Sequence, residues 1–225
     1  LARHGVREHR LAVIPNGVDP ELWTPAGPQR TSPMRREVRE KLGSERIFLY
    51  MGRIATEKNV EALLRAWRLI KPNGCRLLIV GDGPLRPTLE NNSMAIDDSE
   101  VIWWGYESDL NTKIALLQCA EVFILPSLVE GLSLALLEAM ATNTACIATD
   151  AGADGEVLED GAGIVLSTEG VTSQLRTLLP VLRDQPTLTA ELGKRARLRV
   201  LEKYTLKQNI ESLENLYQSL LRKSN

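Results

Sequence analysis

At 225 residues and 44% hydrophobic, the chain can bury one large core, or a core with an appended helical layer. A net charge of −2 gives no reason to expect polyanion binding, so no nucleic acid partner is expected. The only histidines, His4 and His9, stand in the polar amino-terminal segment, so the body of the chain offers neither a histidine triad nor a histidine zinc site. Cys75, Cys119 and Cys146 lack CxxC spacing and lie in or beside apolar runs; they read as buried, reduced thiols of a cytosolic protein. No apolar run approaches the length of a membrane span and the first residues do not read as a signal peptide; Leu at position 1 suggests a fragment.

In chain order, residues 1–10 are charged and read as a linker tail or a frayed helix. Residues 11–14 read as a short strand, followed by the dense turn signal Pro15-Asn-Gly-Val-Asp19-Pro. After a loop at 27–33, residues 34–42 form a charged helix closed by Gly43. Residues 47–51 are the first core strand, running into Gly52-Arg53-Ile-Ala-Thr-Glu57-Lys58-Asn59; residues 60–70 then repeat apolar side chains at helical spacing. Arg53 and Lys58 thus share a strand-to-helix loop, either as solvated cations or as a pair able to neutralise an anion.

The next strand, 77–80, ends in Gly81-Asp82-Gly83-Pro84. As a dinucleotide fingerprint this fails, because Arg86 stands where the third glycine belongs, and NAD is disfavoured. A tight turn before a helix at 85–91 is the plainer reading of Gly81 and Gly83. Residues 92–99 read as a polar loop, 101–106 as a strand with a turn, and 110–119 as a helix. Residues 122–125 form a wholly apolar strand, the pattern of a strand covered on both faces in a parallel sheet. A further strand at 145–149, a glycine-rich loop at 150–156 and an edge strand at 161–166 follow. Helices are expected at 171–179, 188–204 and 206–221, with Pro180 and Pro186 marking the first break.

The chain is organised around residues 126–141, PSLVEGLSLALLEAMA. Here a loop carrying Glu130 and Gly131 leads into a helix carrying Glu138, at the carboxyl edge where open α/β sheets bind ligands. A helix starting there turns free N–H groups and the positive end of its dipole into the loop, which suits a phosphate. Glu138, roughly one and a half turns in, is either an exposed helix residue or a carboxylate that accepts two ribose hydroxyls. Glu130 is either an ordinary loop charge or a contact to a second sugar.

The run Pro126-Ser127-x-x-Glu130-Gly131 with Leu137-Glu138-Ala139-Met140-Ala141 resembles the Glu-x7-Glu signature of retaining glycosyltransferase family 4. The resemblance implies an α/β domain with a Rossmann-like parallel sheet and helices on both faces, one half of a two-domain GT-B fold. It further implies that this half binds a nucleoside diphosphate sugar and, with a partner domain, transfers a hexose with retention to a glycan or lipid. Gly52-Arg53-x-x-x-Glu57-Lys58-Asn59 is similar to the family's second motif, whose cations hold the donor diphosphate; those roles pass to Arg53 and Lys58. Glu138 would hold the ribose, and Glu130 the donor sugar near its reacting face. Gly131, Leu132 and Ser133 would border the donor, Gly81 and Gly83 would lie beside the nucleotide, and Tyr106 would flank the base or be a structural tyrosine.

In that family no divalent metal or other cofactor is required, and no Asp-x-Asp metal pattern occurs in the core loops. The segment Val13-Ile-Pro-Asn-Gly-Val-Asp19 is similar to the family's crossing between domains. The expected division is 1–20 as linker and leading strand, 21–205 as donor domain, and 206–225 as a helix crossing to the absent amino-terminal domain. Any peripheral membrane association would run through that absent domain. Two departures are visible: Gly152-Ala153 where paired glycines are usual, and Ser133 where proline is frequent. A GT-B epimerase or phosphorylase, and a non-catalytic nucleotide- or glycan-binding module, remain as alternatives.

Overall fold

Six short apolar runs assemble one parallel sheet. In the computed structural model, which describes residues 7, 11–27, 32–43, 45–95 and 99–223, the strands are β1 (Arg46–Met51), β2 (Cys75–Val80), β3 (Val101–Gly105), β4 (Ala120–Leu125), β5 (Ala145–Thr149) and β6 (Ile164–Leu166). Their spatial order is β3-β2-β1-β4-β5-β6, with every pairing parallel. The chain runs outward from β1 through β2 and β3, then returns to β4 on the other side of β1. That reversal is the topological switch point, and the loops leaving the carboxyl ends of β1 and β4 part there to form a crevice.

Burial explains the strand composition. Ile47, Phe48, Leu49 and Tyr50 on β1, and Val122, Phe123 and Ile124 on β4, are fully buried because helices cover both sheet faces. Helix α1 (Pro33–Leu42) opens on the Ser32 N-cap and closes at Gly43, which takes a φ of 80°. Helix α2 (Val60–Ile70) buries Val60, Leu63, Leu64 and Trp67, the last against Phe48 with ring centroids 5.4 Å apart. Then come α3 (Arg86–Ala95), α4 (Leu110–Cys119), α5 (Leu134–Ala141), α6 (Asp154–Val157), α7 (Val171–Asp184), α8 (Pro186–Lys203) and α9 (Leu206–Lys223). Short, apolar α5 packs against β5 and α8; at Gly193 of α8 a Cβ would overlap the carbonyl of Asn143 in the turn after α5, so only glycine lets α8 approach that turn.

Several boundaries differ from the sequence reading. Residues 11–14 form no strand; Val13 is 93% exposed, and the only pairing nearby among the described residues is a bridge between Val18 and Thr205. Helix α3 continues to Ala95 where a loop was expected, because Arg68 donates to the buried Ser93 hydroxyl at 3.0 Å and tertiary packing outweighs local polarity. Residues 96–98 of that expected loop, 28–31 of the earlier one, and most of the 1–10 segment lie outside the described residues. Strand β6 begins only at Ile164. The 150–156 loop contains the single turn α6. Pro180 does not end α7: the helix runs through it because Leu179 and Leu182 are both buried. The break falls at Gln185, whose φ of −120° and ψ of 71° lie outside the helical region that a following proline disfavours, and Pro186 opens α8.

All three cysteines are buried and unpaired. Among the described residues no helix is long and apolar enough to cross a membrane. Ile210, Leu213, Tyr217 and Leu220 leave an apolar stripe of α9 exposed.

Candidate functional site

The loop after β1 is shaped from below by a buried side chain. Tyr50 donates its hydroxyl to the Arg53 carbonyl at 2.6 Å, so the loop is tied back to the strand it leaves. Burial, with Glu130 and Glu57 nearby, pushes the Tyr50 hydroxyl far up, so it stays a neutral donor. A turn of 3-10 helix at Thr56–Lys58 then presents Lys58. The loop after β2 crosses this one backbone on backbone: Cβ atoms at Gly81, φ +136°, and Gly83 would overlap the Gly52 and Ile54 carbonyls. Both glycines therefore have a packing reason.

Between these loops, α4 and α5 lies a cleft of about 370 Å³. Arg53, Gly81, Tyr106 and Glu138 line it together. Arg53 is exposed and its side chain has no partner among the described residues. Tyr106 stands on the rim, 73% exposed, its ring open to a flat partner. Glu138 lies about one turn into α5 and also has no hydrogen-bond or ion-pair partner there. Burial pushes its pKa up to about 7, against the pull of Lys113.

Beside the cleft, the loop after β4 is closed on itself. Lys58 Nζ lies 2.5 Å from Glu130 Oε1, and both side chains are largely buried. Ser127 Oγ donates to the same oxygen at 3.2 Å. The Leu128 N–H bonds the Glu57 carbonyl at 2.7 Å, joining the β1 and β4 loops. From the β5 side, Glu130 N–H donates to Ala151 O at 3.0 Å and Ala153 N–H to Gly131 O at 2.9 Å. A Cβ at Gly152 would overlap the carbonyls of Glu130 and Gly131, whereas Ala153, in the ordinary αR region, needs no glycine. Gly131 is exposed, and a Cβ there would meet nothing in the protein.

Helix α5 opens at Leu134, with Ser133 as its N-cap. Ser133 N–H donates to Asp154 Oδ1 at 2.9 Å, while the N–H groups of Leu134 and Ala135 take no protein partner among the described residues. Free donors and the positive helix end thus stand beside the Ala135 wall of the cleft. Of the predicted residues, Lys58, Gly83, Glu130, Gly131, Leu132 and Ser133 do not line the cleft itself.

Sequence reasoning missed several neighbours. Lys113 reaches the cleft from α4, and Glu107, held by Trp104 Nε1 at 3.1 Å and the Asp109 N–H at 2.8 Å, forms part of its wall. Tyr50 reads only as one apolar-strand residue among others. Asp154 is 1% exposed, a burial that its polar, glycine-rich surroundings do not announce.

A Rossmann-like parallel sheet with a charged crevice at its switch point is the architecture of a GT-B nucleotide-sugar domain, and solved structures agree on the fold. An Anabaena protein, HepE, crystallised with UDP, superposes with a TM-score of 0.83 at 19% identity, covering 96% of this chain and 60% of that one. The C-terminal domain of a Francisella tularensis glycosyl transferase group 1 protein superposes over its entire length and 84% of this chain, at 23% identity and a TM-score of 0.74. The sequence model for glycosyl transferases group 1 matches residues 45–184, and the chain belongs to that family. Among curated relatives, an alpha-D-kanosaminyltransferase of Streptomyces kanamyceticus is 29% identical over 95% of this chain and 55% of its own length. An Escherichia coli UDP-Gal:alpha-D-GlcNAc-diphosphoundecaprenol alpha-1,3-galactosyltransferase is 28% identical over 92% and 54%. The chain spans about half the length of the curated relatives it matches.

Proposed function

We propose that this chain is the donor-binding domain of a retaining glycosyltransferase of family 4, moving a hexose from a nucleoside diphosphate sugar to a glycan or lipid acceptor in the cytoplasm. The observation that carries the reading is the pairing of unmet needs in one cleft. Among the described residues, Glu138 is a desolvated carboxyl group without a donor, and Arg53 a cation without an anion. A ribose diphosphate answers both, offering hydroxyls at one end and negative charge at the other. HepE, crystallised with UDP and with UDP-glucose, supports this by likeness of fold.

On this reading Tyr106 flanks the base, Glu138 accepts the ribose hydroxyls, and the start of α5 with Gly131, Leu132 and Ser133 borders the diphosphate. Gly81 and Gly83 shape the turn beside the nucleotide. As the bond from the sugar's anomeric carbon to the phosphate oxygen breaks, the diphosphate keeps the electron pair. Arg53 and Lys58 stabilise that charge, a role a divalent metal would otherwise fill. Glu130 contacts the donor sugar near its reacting face. The acceptor site belongs to a second domain, to which α9 crosses, and any membrane association runs through that domain. This chain alone then binds nucleotide weakly and transfers sugar negligibly.

The test is a thermal-shift titration of the full-length enzyme with UDP, GDP and ADP and their sugar conjugates, beside Glu138→Ala. A ligand at a hundredfold its dissociation constant adds about 2.7 kcal/mol. In a domain this size that raises Tm by roughly 5–10 °C. One base alone should give the shift, and the variant should lose it. No shift with any of them would overturn the reading.

A further inference from the structure

We infer that Asp154 is a positioning residue for the donor loop, holding residues 130–133 in register by accepting the Ser133 N–H at the start of α5. The inference rests on the donor-site reading above and adds to it a residue outside the cleft.

The α5 start is weakly held by its own cap. Ser133 Oγ lies 3.4 Å from the Leu136 N–H, at the far end of hydrogen-bonding range. The bond from Ser133 N–H to the Asp154 carboxylate is 2.9 Å and of the charge-assisted kind, the stronger of the two. It completes a set of contacts from one short segment. Ala151 O and the Ala153 N–H bond the backbone of Glu130 and Gly131, and Gly152 packs against the carbonyls between them. Every residue of 151–154 therefore bears on the loop that carries Glu130.

Asp154 is also in an expensive place. It is 1% exposed and forms no ion pair among the described residues. Burial pushes its pKa up to about 6; the Ser133 N–H and Lys58 oppose that, while Glu130 adds to it. A carboxylate kept there at a cost to stability implies a use that an apolar side chain would not serve. The use is directional. With Ser133 fixed, the N–H groups of Leu134 and Ala135, unpaired among the described residues, stay beside the Ala135 wall of the cleft, where a second phosphate would meet them.

The experiment compares Asp154→Leu and Asp154→Asn in the full-length enzyme, with Asp154→Ala as a second acceptor-free variant should the leucine not fold. Each is titrated calorimetrically with UDP, GDP and ADP and their monophosphates, and its Tm is recorded. Leucine removes the acceptor and the buried charge together, so its Tm should hold or rise. Its affinity for the diphosphate should fall about tenfold while that for the monophosphate stays within about twofold, the mark of a lost contact at the second phosphate. Asparagine keeps an acceptor oxygen and should bind the diphosphate within about threefold of wild type. An unchanged diphosphate-to-monophosphate preference in the acceptor-free variants, or equal loss of both ligands with a lowered Tm, overturns the inference. A wild type that binds none of the diphosphates sinks the donor-site reading, and this inference with it.

Discussion

Arg53 and Glu138 line one cleft with no hydrogen-bond or ion-pair partner among the described residues, while a few residues away Lys58 and Glu130 satisfy each other at 2.5 Å. The cleft side can take a ligand without giving up a protein contact. The loop side cannot: Lys58 reaches a diphosphate only by sharing or leaving Glu130. The two cations of one loop, alike in sequence, therefore start from different energies. Arg53 gains whatever the ligand offers, and Lys58 gains the difference between two partners, as does Glu130 when it turns to a sugar. On the proposed reading, such a site would hold the nucleotide first and free its second cation when the donor is seated.

The sharpest way to break that comparison is to remove each cation in turn from the full-length enzyme. Arg53→Ala should cost about 10²–10³ in turnover, as loss of one transition-state charge contact does. Its Tm should move little, since the side chain is exposed and unpartnered. Lys58→Ala should lose turnover on a similar scale and also stability, by about 1–3 kcal/mol, because Glu130 is left largely buried without its cation. Wild-type rates with Arg53→Ala would end the assignment; equal stability of the two variants would end the contrast between the two sides.

Next in size is the pH response of Glu138. Its pKa is raised from an ordinary 4.5 to about 7, so the folded protein holds this proton more tightly than the unfolded chain. That stability is fully present below about pH 4.5 and is lost as pH rises through 7. Glu138→Gln should thus match wild type in acid and exceed it above pH 7, by on the order of 2 kcal/mol. Ribose hydroxyls bond the charged form, so the binding of the matching nucleotide should strengthen up to about tenfold per pH unit on the acid side of 7, with proton release. Calorimetry in buffers of different ionisation enthalpy measures that release. Its absence in wild type, or its persistence in Glu138→Gln, would remove Glu138 from the ribose.

The sheet was legible because each core strand is a continuous apolar run between turn residues, and β1, β2, β4 and β5 leave little choice of period. The motif loops were legible for a related reason: glycines at 52, 81 and 83 mark where backbones cross, and the charges next to them fall at strand ends. What the sequence hid is long-range. Nothing local to residues 11–14 says that no sheet edge awaits them, and Pro180 reads as a stop until Leu179 and Leu182 are seen to be buried. The same blindness covers Asp154 and Lys113, whose neighbours come from elements far along the chain. The Lys58–Glu130 pair spans 72 positions, so a motif reading finds both residues and misses that they neutralise each other.

Tyr50 gives the smallest effect and the finest probe of the open side. Its hydroxyl makes one hydrogen bond, to the Arg53 carbonyl, from a fully buried ring. Tyr50→Phe keeps the ring and its packing, so the loss should be about 1 kcal/mol of stability, the net worth of one such bond plus a carbonyl that finds water at the cleft. If the bond also sets where Arg53 projects, diphosphate affinity should fall about threefold to tenfold while the matching nucleoside binds as before. An affinity unchanged for both ligands would mean that the arginine finds its anion without help from the strand beneath it. The openness of the cleft side would then extend to its backbone, and the contrast with the braced Glu130 loop would be larger than the side chains alone suggest.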